Sequence, residues 1–501
     1  MTAAAFVKSG RSIPCKLHHR RIRVSTGLPA LSELFARLSS ASILGGNVAG
    51  TDTGGFSYWA AYPKDVFEFK AGQTEPFEKL HGILSKYRIE DGGRSGAGLP
   101  GRGIFCGGWI GYFGYELGRY IEKLPVTAVD DIRTPLIRLC FYDRLIAYDH
   151  ITGDFWLFAL ELRGEAERPR DKLAALERLL NKSQDVHIPP PLPVELSDID
   201  FSPLRCNMTR EDYLSTVRRI RRYIFDGDVY QINFSQRFEC EYDARPIDLY
   251  HWQNTYNPSG YAAYIDGGDF HIVSASPEMF IKVTDGTIQT KPIKGTRPRI
   301  NETTEAGLQP EQVNAENANE LLGSAKEQAE LNMIVDLERN DVARVCVPGT
   351  RHLVQPRTIE TYPTVFHAVA TVAGRLRQDV TFCEVLKAMF PGGSITGAPK
   401  IRSMEIIDET EPTARGVYTG SIGFIGIDGS VCLNIAIRTI IIRGRKAFVQ
   451  TGGGIVADSD PEAEWQETIT KARALIAGIK ATWYQDGEHR KGKLEALDLK
   501  L

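Results

Sequence analysis

The 501-residue sequence predicts a mixed α/β protein, because strand-like and helical patterns alternate along the chain. Apolar or alternating runs at 16–24, 136–148, 155–162 and 227–242 predict strands. Amphipathic runs at 29–38, 168–180, 319–337 and 461–483 predict helices. Thr209, followed by acidic residues in the next turn, predicts the cap of a further helix that ends at Gly227.

Composition excludes several classes of function. The net charge is −3 and the chain is 25% charged, so its summed field gives no reason to expect a nucleic-acid partner. No apolar run approaches the roughly 20 residues that a membrane-spanning helix needs. The eight cysteines are scattered without a Cys-x-x-Cys pair, which favours reduced thiols and a cytoplasmic location.

The amino-terminal region is basic, since six lysines and arginines precede the first acidic residue, Glu33. Organelle transit peptides share this composition. We favour a short exposed strand at 16–24 followed by a helix, and whether residues 1–24 have a targeting role stays open. The proline-rich segment 188–193 predicts the main domain boundary. We therefore expect an amino-terminal domain at 1–190, a second domain at 200–484 and a frayed tail at 485–501.

The segment 291–299, KPIKGTRPR, concentrates four cations in nine residues. We expect a strand that stops at Pro292. Arg297 and Arg299 are two residues apart, so in an extended segment both point to one face and could bind an acidic ligand, with Lys294 one pleat away. Neighbouring cations, together with desolvation of the amine in a cleft, bias Lys294 toward its neutral, nucleophilic form. The alternative is a solvated basic loop.

Two Glu-x-x-Glu pairs lie on predicted helices. Glu327 and Glu330 share a stripe with apolar Leu331 and Ile334, although buried carboxylates are costly without compensation. On the last helix, Glu464, Glu467 and Lys471 share one face. The four carboxylates together could bind a hard cation, and magnesium is the natural choice. Alternatively, each pair is a solvated helix face with Lys326 or Lys471 as a surface partner.

Two glycine-rich segments could approach a ligand. The turn at 390–400 runs into a helix near Lys400 and could bind an anion with free backbone N–H groups, although it lacks P-loop spacing. Gly452, Gly453 and Gly454 would let a ligand contact the backbone directly. A β-bulge or hairpin is the alternative for this second segment.

Taken in order, these segments resemble the chorismate-utilising enzymes. The resemblance is carried by SASPEMF (274–280), PIKGTRPR (292–299), KEQAELNMIVDLERNDVARVCVPGT (326–350), VFHAVATVAGRL (365–376), GGSITGAPK (392–400), RGVYTGSIGFI (415–425), LNIAIRTI (433–440) and TGGGIVADSDPEAEWQETITKA (451–472). It covers 205–480 strongly. Residues 1–190 more loosely resemble the amino-terminal half of component I of anthranilate and aminodeoxychorismate synthases.

This resemblance implies an α/β fold in which two large, mostly antiparallel sheets pack together and are flanked by helices, with the site in a cleft. It implies magnesium held by Glu330 and Glu467, with Glu327 and Glu464 supporting through water. The general acid would be Glu278, and His367 would lie beside the substrate ring with its role open. The positions implied to hold the substrate's carboxylates or shape the pocket are Ser394, Tyr418, Arg438, Gly453, Gly454 and Lys471.

Two positions distinguish the subfamilies within this resemblance. Members that add water to the ring have a lysine where this chain has Gln231, so ammonia is the expected nucleophile. Anthranilate synthases have alanine at the position of Lys294, whereas aminodeoxychorismate synthases have lysine. The Leu-Leu-Glu-Ser motif common in anthranilate synthases is also missing near 42–59. The likeness therefore favours aminodeoxychorismate synthase component I, with Lys294 forming a covalent intermediate.

Two other functions compete with this interpretation, and a partner protein is expected. Anthranilate synthase component I is the main competing interpretation, and a non-catalytic sensor built on the same fold is a weaker one because every implied site residue is present. A covalent role for Lys294 competes with a purely electrostatic one. No Gly-x-Cys-x-Gly turn surrounds any cysteine, so we expect a glutaminase on a separate chain to supply ammonia. Tryptophan binding, oligomeric state and the ammonia route stay open.

Overall fold

Two large β-sheets organise the computed structural model. It describes residues 12–46, 55–90, 99, 103–196, 199–201, 204–300, 309–362 and 365–489, with side chains described as far as residue 483. The strands in these residues are β1 (Ile13–Ile22), β2 (Ser42–Leu44), β3 (Phe56–Ala60), β4 (Asp65–Phe69), β5 (Tyr87–Ile89), β6 (Gly108–Phe113), β7 (Ile137–Tyr142), β8 (Arg144–Asp149), β9 (Asp154–Leu162), β10 (Arg205–Cys206), β11 (Gln231–Glu241), β12 (Tyr261–Asp266), β13 (Phe270–Ser276), β14 (Met279–Thr284), β15 (Thr287–Lys291), β16 (Ile293–Pro298), β17 (His352–Thr361), β18 (Val365–Arg375), β19 (Gly397–Ala398), β20 (Ser421–Gly426), β21 (Val431–Asn434), β22 (Thr439–Arg443) and β23 (Lys446–Ile455).

Helices cover the outer faces of the sheets. They are α1 (Leu28–Ala36), α2 (Pro76–Leu84), α3 (Pro169–Ser183), α4 (Arg210–Phe225), α5 (Pro246–Tyr256), α6 (Pro310–Gly323), α7 (Ala325–Ala343), α8 (Phe382–Met389), α9 (Lys400–Thr410) and α10 (Pro461–His489). Among the described residues, no helix combines the length and the apolarity that crossing a bilayer requires.

The first sheet has the strand order β10-β11-β23-β22-β13-β12-β2-β3-β8-β9-β1-β5, and β19 pairs with β11. The second has the order β16-β18-β15-β14-β21-β20-β6-β7-β4, and β17 pairs with β18. Neighbouring strands are antiparallel, with the exception of the parallel pair β1 and β5. The predicted fold class, two large and mostly antiparallel sheets flanked by helices, is therefore confirmed.

The core lies between the two sheets, where strands such as β6 and β20 are buried at every position. Tyr58 of the first sheet meets Phe424 of the second edge to face, with ring centroids 5.7 Å apart. Burying a side chain of this size stabilises the fold by roughly 1.5–3 kcal/mol. Each sheet takes strands from both sides of the segment 188–193. The division into domains at 1–190 and 200–484 stays a prediction.

The predicted strand at 136–148 is wrong in one respect, because it is two strands in different sheets. β7 belongs to the second sheet and β8 to the first, and the chain crosses between them at Asp143. Asp143 is buried and accepts a hydrogen bond of 2.5 Å from Nζ of the fully buried Lys172. Continuous hydrophobicity concealed the crossing because both strands are buried on both faces.

The predicted helix at 319–337 also needs correction. α6 ends at Gly323, and α7 begins after Ser324, whose hydroxyl accepts a hydrogen bond from the backbone N–H of Glu327. This cap starts a new helix and places Glu327 in its first turn. By contrast, α4 agrees with the prediction, since Thr209 and Asp212 form a reciprocal capping box. α10 extends to His489, into the predicted tail, and residues 490–501 lie outside the described residues.

Candidate active site

The first strand of the segment 291–299 stops at Pro292, as predicted, and a second strand follows it. β15 ends at Lys291, and β16 resumes at Ile293 and pairs with β18, with a register shift between Ile293 and Thr296. Gly295 within this shift has φ +91°, a backbone conformation that favours glycine. Because of this register shift, the regular alternation of side chains along a strand does not hold across Lys294. The prediction assumed regular alternation.

The flanking cations are already paired within the protein. Arg297 contacts Glu327 at 2.9 Å and Glu320 at 2.9 Å, and Lys291 contacts Glu360 at 2.6 Å. Arg299 donates a hydrogen bond to the carbonyl of Tyr362. Arg297 is therefore paired with two carboxylates of the protein itself, and joint binding of an acidic ligand by Arg297 and Arg299 stays a prediction.

Lys294, by contrast, has no hydrogen bond or ion pair to any residue in the described part of the chain. Burial lowers the pKa of its ammonium, Glu330 and Glu278 oppose this effect, and Lys471 adds to it. The direction of this shift and its main cause, burial, agree with the prediction, but the cation that assists it is Lys471 and not Lys291, Arg297 or Arg299.

Two predicted residues, Gly454 and Gln231, lie beside the reactive end of Lys294. A methyl group added at Gly454 would lie 3.5 Å from Lys294 Nζ and 2.6 Å from Gln231 Nε2. Gln231 is fully buried, and neither atom of its amide group has a hydrogen-bond partner among the described residues. The lack of a side chain at Gly454 therefore leaves room in front of an amine and an unsatisfied amide.

Glu278 supplies a buried carboxyl group to the same cleft. It is 4% exposed, and its Oε1 accepts a hydrogen bond of 2.6 Å from the Ser394 hydroxyl. Burial raises the pKa of Glu278, while the bond from Ser394 and the charge of Lys294 lower it. The carboxyl group can therefore hold a proton closer to neutral pH than an exposed glutamate, as a general acid requires.

His367 and Arg438 form the next part of the cleft. His367 is 2% exposed, its Nδ1 is 2.8 Å from the Thr296 hydroxyl, and its Nε2 is buried without a partner among the described residues. Burial, assisted by the charge of Arg438, lowers the pKa of His367 to about 3. The imidazole is therefore neutral near pH 7.

Arg438 carries a guanidinium group that no described acidic side chain pairs with. Burial lowers its pKa, and its backbone has φ +48°, an uncommon conformation for a residue with a side chain. Strained backbone of this kind clusters at functional sites. Tyr418 is 5% exposed and lies beside Arg415, which donates a hydrogen bond to the carbonyl of Ile395 next to Ser394.

The glycines 452–454 lie in a regular strand, since β23 pairs with β11 without a register shift. A bulge at these glycines is therefore excluded. β22 and β23 do form a hairpin, but its turn lies at Gly444 and Arg445, before the glycines. A methyl group at Gly453 would lie 3.0 Å from Glu464 Oε2 and 3.6 Å from Glu467 Oε1. This places the glutamates of α10 directly over the glycine strand.

The four predicted metal ligands approach the cleft from two helices. Burial raises the pKa of Glu330, and the negative charges of Glu327 and Glu467 act in the same direction. Burial likewise raises the pKa of Glu464, and Glu467 adds to it. This mutual repulsion is what a bound cation would relieve, and carboxylate oxygens are ligands that magnesium prefers.

Protein groups nevertheless occupy several of these carboxylates. Glu464 accepts a hydrogen bond of 2.6 Å from Ser459, and Glu467 contacts Lys471 at 2.6 Å. Across the described residues, no group of three or more His, Cys, Asp or Glu side chains is arranged ready to hold a metal ion. The donor chemistry fits magnesium, and binding would require Lys471 to release Glu467.

Lys400 and Glu338 are two further charged residues near the cleft, the first predicted and the second not. Lys400 donates hydrogen bonds to Asp341 and to the carbonyl of Met389, so the amine at the 390–400 turn is already used. Glu338, which sequence reasoning missed, is 5% exposed and accepts a hydrogen bond of 2.8 Å from Thr290. Its spacing from Leu331 and Ile334 on one buried stripe was the available signal.

Comparison with known proteins places this geometry in a family. The model for chorismate binding enzymes matches residues 48–477. Anthranilate synthase component 1 of Pseudomonas aeruginosa is 42% identical over 385 residues, which cover 76% of this chain and 76% of the relative. Aminodeoxychorismate synthase component 1 of Bacillus subtilis is 38% identical over 378 residues, which cover 75% and 77%.

A solved structure of a related protein has a similar fold. Anthranilate synthase component I from Streptococcus pneumoniae superposes with a TM-score of 0.68 at 31% identity, covering 85% of this chain and 93% of that one. The names of these relatives divide between anthranilate synthase and aminodeoxychorismate synthase.

Proposed function

The chain belongs to the family of chorismate binding enzymes, and we propose that it is component I of aminodeoxychorismate synthase, which converts chorismate and ammonia into 4-amino-4-deoxychorismate. The observation that carries this proposal is the unpaired amine of Lys294 in the cleft, beside Gly454 and the unsatisfied amide of Gln231. The product would serve 4-aminobenzoate and folate synthesis. Scattered free thiols support a cytoplasmic location.

Lys294 acts as the nucleophile in this proposal. Its neutral amine attacks ring carbon two, the double bonds shift, and the hydroxyl at carbon four leaves as water with the proton of Glu278. Ammonia then attacks carbon four, the double bonds shift back, and the amine of Lys294 leaves. The covalent intermediate divides one crowded displacement into two steps, which is the general advantage of nucleophilic catalysis.

In this proposal, Arg438 binds the substrate, His367 orients it, and Gln231 is neutral. Arg438 has no acidic partner in the described chain and would bind a carboxylate of chorismate in a bidentate manner. Neutral His367 presents Nε2 toward the ring as a hydrogen-bonding group, which favours an orienting role. Gln231, being neutral, does not activate water as a lysine at this position would.

Magnesium is proposed as the cofactor, with Glu330 and Glu467 holding it and Glu327 and Glu464 supporting. When bound, it would neutralise the substrate's ring carboxylate and help to fix the ring in the cleft. Lys471, once released from Glu467, would keep its hydrogen bond of 2.9 Å to the carbonyl of Gly452.

Anthranilate synthase component I is the second candidate function. The observation that favours it is the identity of 42% to the Pseudomonas aeruginosa relative, against 38% to the Bacillus subtilis aminodeoxychorismate synthase component. The two candidates share the cleft and differ in where ammonia enters and in the elimination of pyruvate.

Product analysis decides between them. Purified protein is incubated with chorismate, magnesium and ammonium, and the products are separated and identified by mass. We expect 4-amino-4-deoxychorismate, which retains the enolpyruvyl group. A fluorescent aromatic amino acid together with free pyruvate, formed without an added lyase, would establish the anthranilate reaction in its place.

A further inference from the structure

Arg415, in the loop between α9 and β20, is a buried cation to which the proposed mechanism gives no role. It is 1% exposed, and the Glu411 carboxylate accepts hydrogen bonds of 2.8 Å from its Nε and 2.7 Å from its Nη2. Its guanidinium carbon lies 4.7 Å from the ring centroid of Tyr115. A buried charge is destabilising unless it is paired and hydrogen-bonded, and the contact with Glu411 meets that need.

The other hydrogen bonds of the Arg415 side chain go to three separate segments of the chain. Nη1 donates to the carbonyl of Ile395 at 2.9 Å and to the hydroxyl of Thr419 at 3.2 Å. Nη2 donates to the carbonyl of Asn233 at 2.7 Å. Because a planar guanidinium group holds its donors in fixed directions, these bonds fix the three segments relative to one another.

The segment at Ile395 orients the general acid of the proposed reaction. Ser394 precedes Ile395, and its hydroxyl donates a hydrogen bond of 2.6 Å to the carboxyl group of Glu278. The same turn is tied to β11, since the backbone N–H of Asn233 donates to the carbonyl of Thr396 at 2.7 Å. Any displacement of the Ile395 carbonyl would therefore move the Ser394 hydroxyl relative to Glu278.

The other two segments carry residues of the substrate pocket. Asn233 lies on β11, two residues after Gln231. Thr419 follows Tyr418 and has φ +58°, an uncommon conformation for a residue with a side chain. The Thr419 hydroxyl accepts a hydrogen bond from Arg415 and donates one of 2.6 Å to the carbonyl of Tyr418. Arg415 therefore stabilises the backbone that presents Tyr418.

The first half of the chain fixes the Arg415 loop from its backbone side. Glu116 is 7% exposed, and its two carboxyl oxygens accept hydrogen bonds from the backbone N–H groups of Arg415 at 2.7 Å and Gly416 at 2.9 Å. The backbone and the side chain of Arg415 are thus both held in the absence of substrate. Preorganisation of this kind is what supporting residues of an active site provide.

We propose that Arg415 is a positioning residue for the reaction of chorismate, which holds Ser394, Gln231 and Tyr418 in their places around the substrate. The inference rests on the proposed function, because it assumes that these residues act on chorismate in this cleft. A purely stabilising role would need only the pair with Glu411, and buried ion pairs are weak evidence for stability. The bonds beyond that pair end on segments that carry site residues.

A double-mutant cycle tests this role. Arg415→Lys keeps a cation beside Glu411 but replaces the planar fork by a single ammonium group, which does not reproduce all three further contacts. Consumption of chorismate with magnesium and ammonium is measured for Arg415→Lys, Ser394→Ala and the double variant. We expect kcat/KM of Arg415→Lys to fall by about tenfold or more, because small displacements of reacting groups are costly. The double variant should be no slower than the slower single variant, since both changes disturb the same contact with Glu278.

The loss should appear mainly in kcat, because Glu278 donates its proton after chorismate has bound. Arg144→Lys is the matched control. Arg144 is also a buried arginine, 7% exposed and 3.1 Å from Asp143, and the strands β22, β13, β12, β2 and β3 lie between its strand β8 and β23. Thermal unfolding followed by circular dichroism sets the assay temperature below the unfolding of every variant. Arg144→Lys should keep kcat and KM, whatever it does to the unfolding temperature.

Unchanged kcat/KM in folded Arg415→Lys, or losses that multiply in the double variant, would overturn the positioning role and leave Arg415 with a structural role. If Arg415→Lys does not fold, Glu411→Gln replaces it in the cycle, because it keeps the shape of the partner and removes its charge. A rate of Glu411→Gln equal to that of the unaltered chain would then overturn the proposal, and a loss that does not multiply with Ser394→Ala would support it.

The cycle and the proposed function fail in different ways. Consumption of chorismate reports on Arg415 whichever product forms, so an aromatic product with free pyruvate would overturn the proposed function and leave the cycle valid. The proposed product together with unchanged kcat/KM in Arg415→Lys would support the function and overturn the inference. An unaltered chain that does not consume chorismate would overturn both.

Discussion

At the scale of single residues, the site is defined by polar groups that the protein leaves unpaired. Both amide atoms of Gln231 are buried without a partner among the described residues, although leaving a buried polar group unsatisfied costs about 1–3 kcal/mol. Half-buried Lys294 and Arg438 likewise make no ion pair with a described acidic side chain. Sequence motifs identified these three positions. They did not show that Arg297 and Arg299 are used internally, because pairing with Glu327 and with the Tyr362 carbonyl depends on contacts distant in sequence.

The covalent role of Lys294 is tested by trapping. With chorismate and magnesium but without ammonia, we expect the peptide that contains Lys294 to gain the mass of the substrate less one water, measured by mass spectrometry after digestion. The rate with ammonium should rise with pH, because the amine attacks only after it has lost its proton, and burial lowers the pKa of that ionisation. Lys294→Ala should lose both the adduct and this ionisation.

Lys446→Ala, at an exposed lysine on β23, is the matched control and should label and turn over like the unaltered chain. Full activity with the same product in Lys294→Ala, and no labelled peptide in the unaltered chain, would leave Lys294 with an electrostatic role only.

At the scale of elements, the helices α7 and α10 and the strands β11, β16, β18 and β23 bring their functional groups into one cleft. α7 and α10 each contribute a Glu-x-x-Glu pair, and their helical periodicity made both pairs predictable. The break before α7 was not predictable from periodicity, because the apolar pattern continues across Ser324. The register shift in β16 was missed for a similar reason, since it depends on pairing with β18.

The metal proposal makes a prediction about α10. Glu467→Gln removes one of the few anionic ligands of an ion that proteins bind weakly, so product formation should fall by about two orders of magnitude or more across a magnesium titration. Thermal unfolding followed by circular dichroism should change little, because the side chain is 51% exposed. Glu462→Gln, at an equally exposed glutamate five residues earlier, should behave like the unaltered chain. Equal titration curves for both variants would remove Glu467 from the metal site.

Glu338 on α7 makes a prediction about stability and pH. Burial raises the pKa of Glu338 to about 8 from an ordinary value of 4.5. Below 4.5 both the folded and unfolded chains hold the proton, so there is no penalty. Between 4.5 and 8 only the unfolded chain releases it, and the free energy of unfolding therefore falls as pH rises, by on the order of a few kcal/mol.

The variant Glu338→Gln keeps the acceptor for Thr290 and removes this titration. We expect its free energy of unfolding, measured in urea at pH 5 and pH 8, to fall less than that of the unaltered chain. Asp336→Asn, at a 70% exposed carboxylate on the same helix, serves as control. Identical pH dependence in Glu338→Gln and the unaltered chain would show that Glu338 titrates normally.

At the scale of the whole molecule, the fold joins both halves of the chain in each sheet. The family resemblance anticipated two large antiparallel sheets, and the alternating apolar patterns gave many of the strands. The route of the chain between sheets was not predictable, since the crossing at Asp143 depends on a buried ion pair with Lys172 across 29 positions. Long-range pairing of this kind leaves no periodic signal in the sequence.

The whole chain should use ammonium but not glutamine as its nitrogen source. None of the eight cysteines lies in a Gly-x-Cys-x-Gly turn, and burial raises the pKa of Cys15, Cys346 and Cys383, which makes these thiols poor nucleophiles. We expect product formation from chorismate, magnesium and ammonium, and no release of glutamate from glutamine by the purified chain, both measured by chromatography. Adding the purified glutaminase component should restore glutamine use, and the same mixture containing a heat-inactivated glutaminase is the control. Glutamate release by the single chain, at a rate matching product formation, would show that it carries a glutaminase site of its own and that no partner is required.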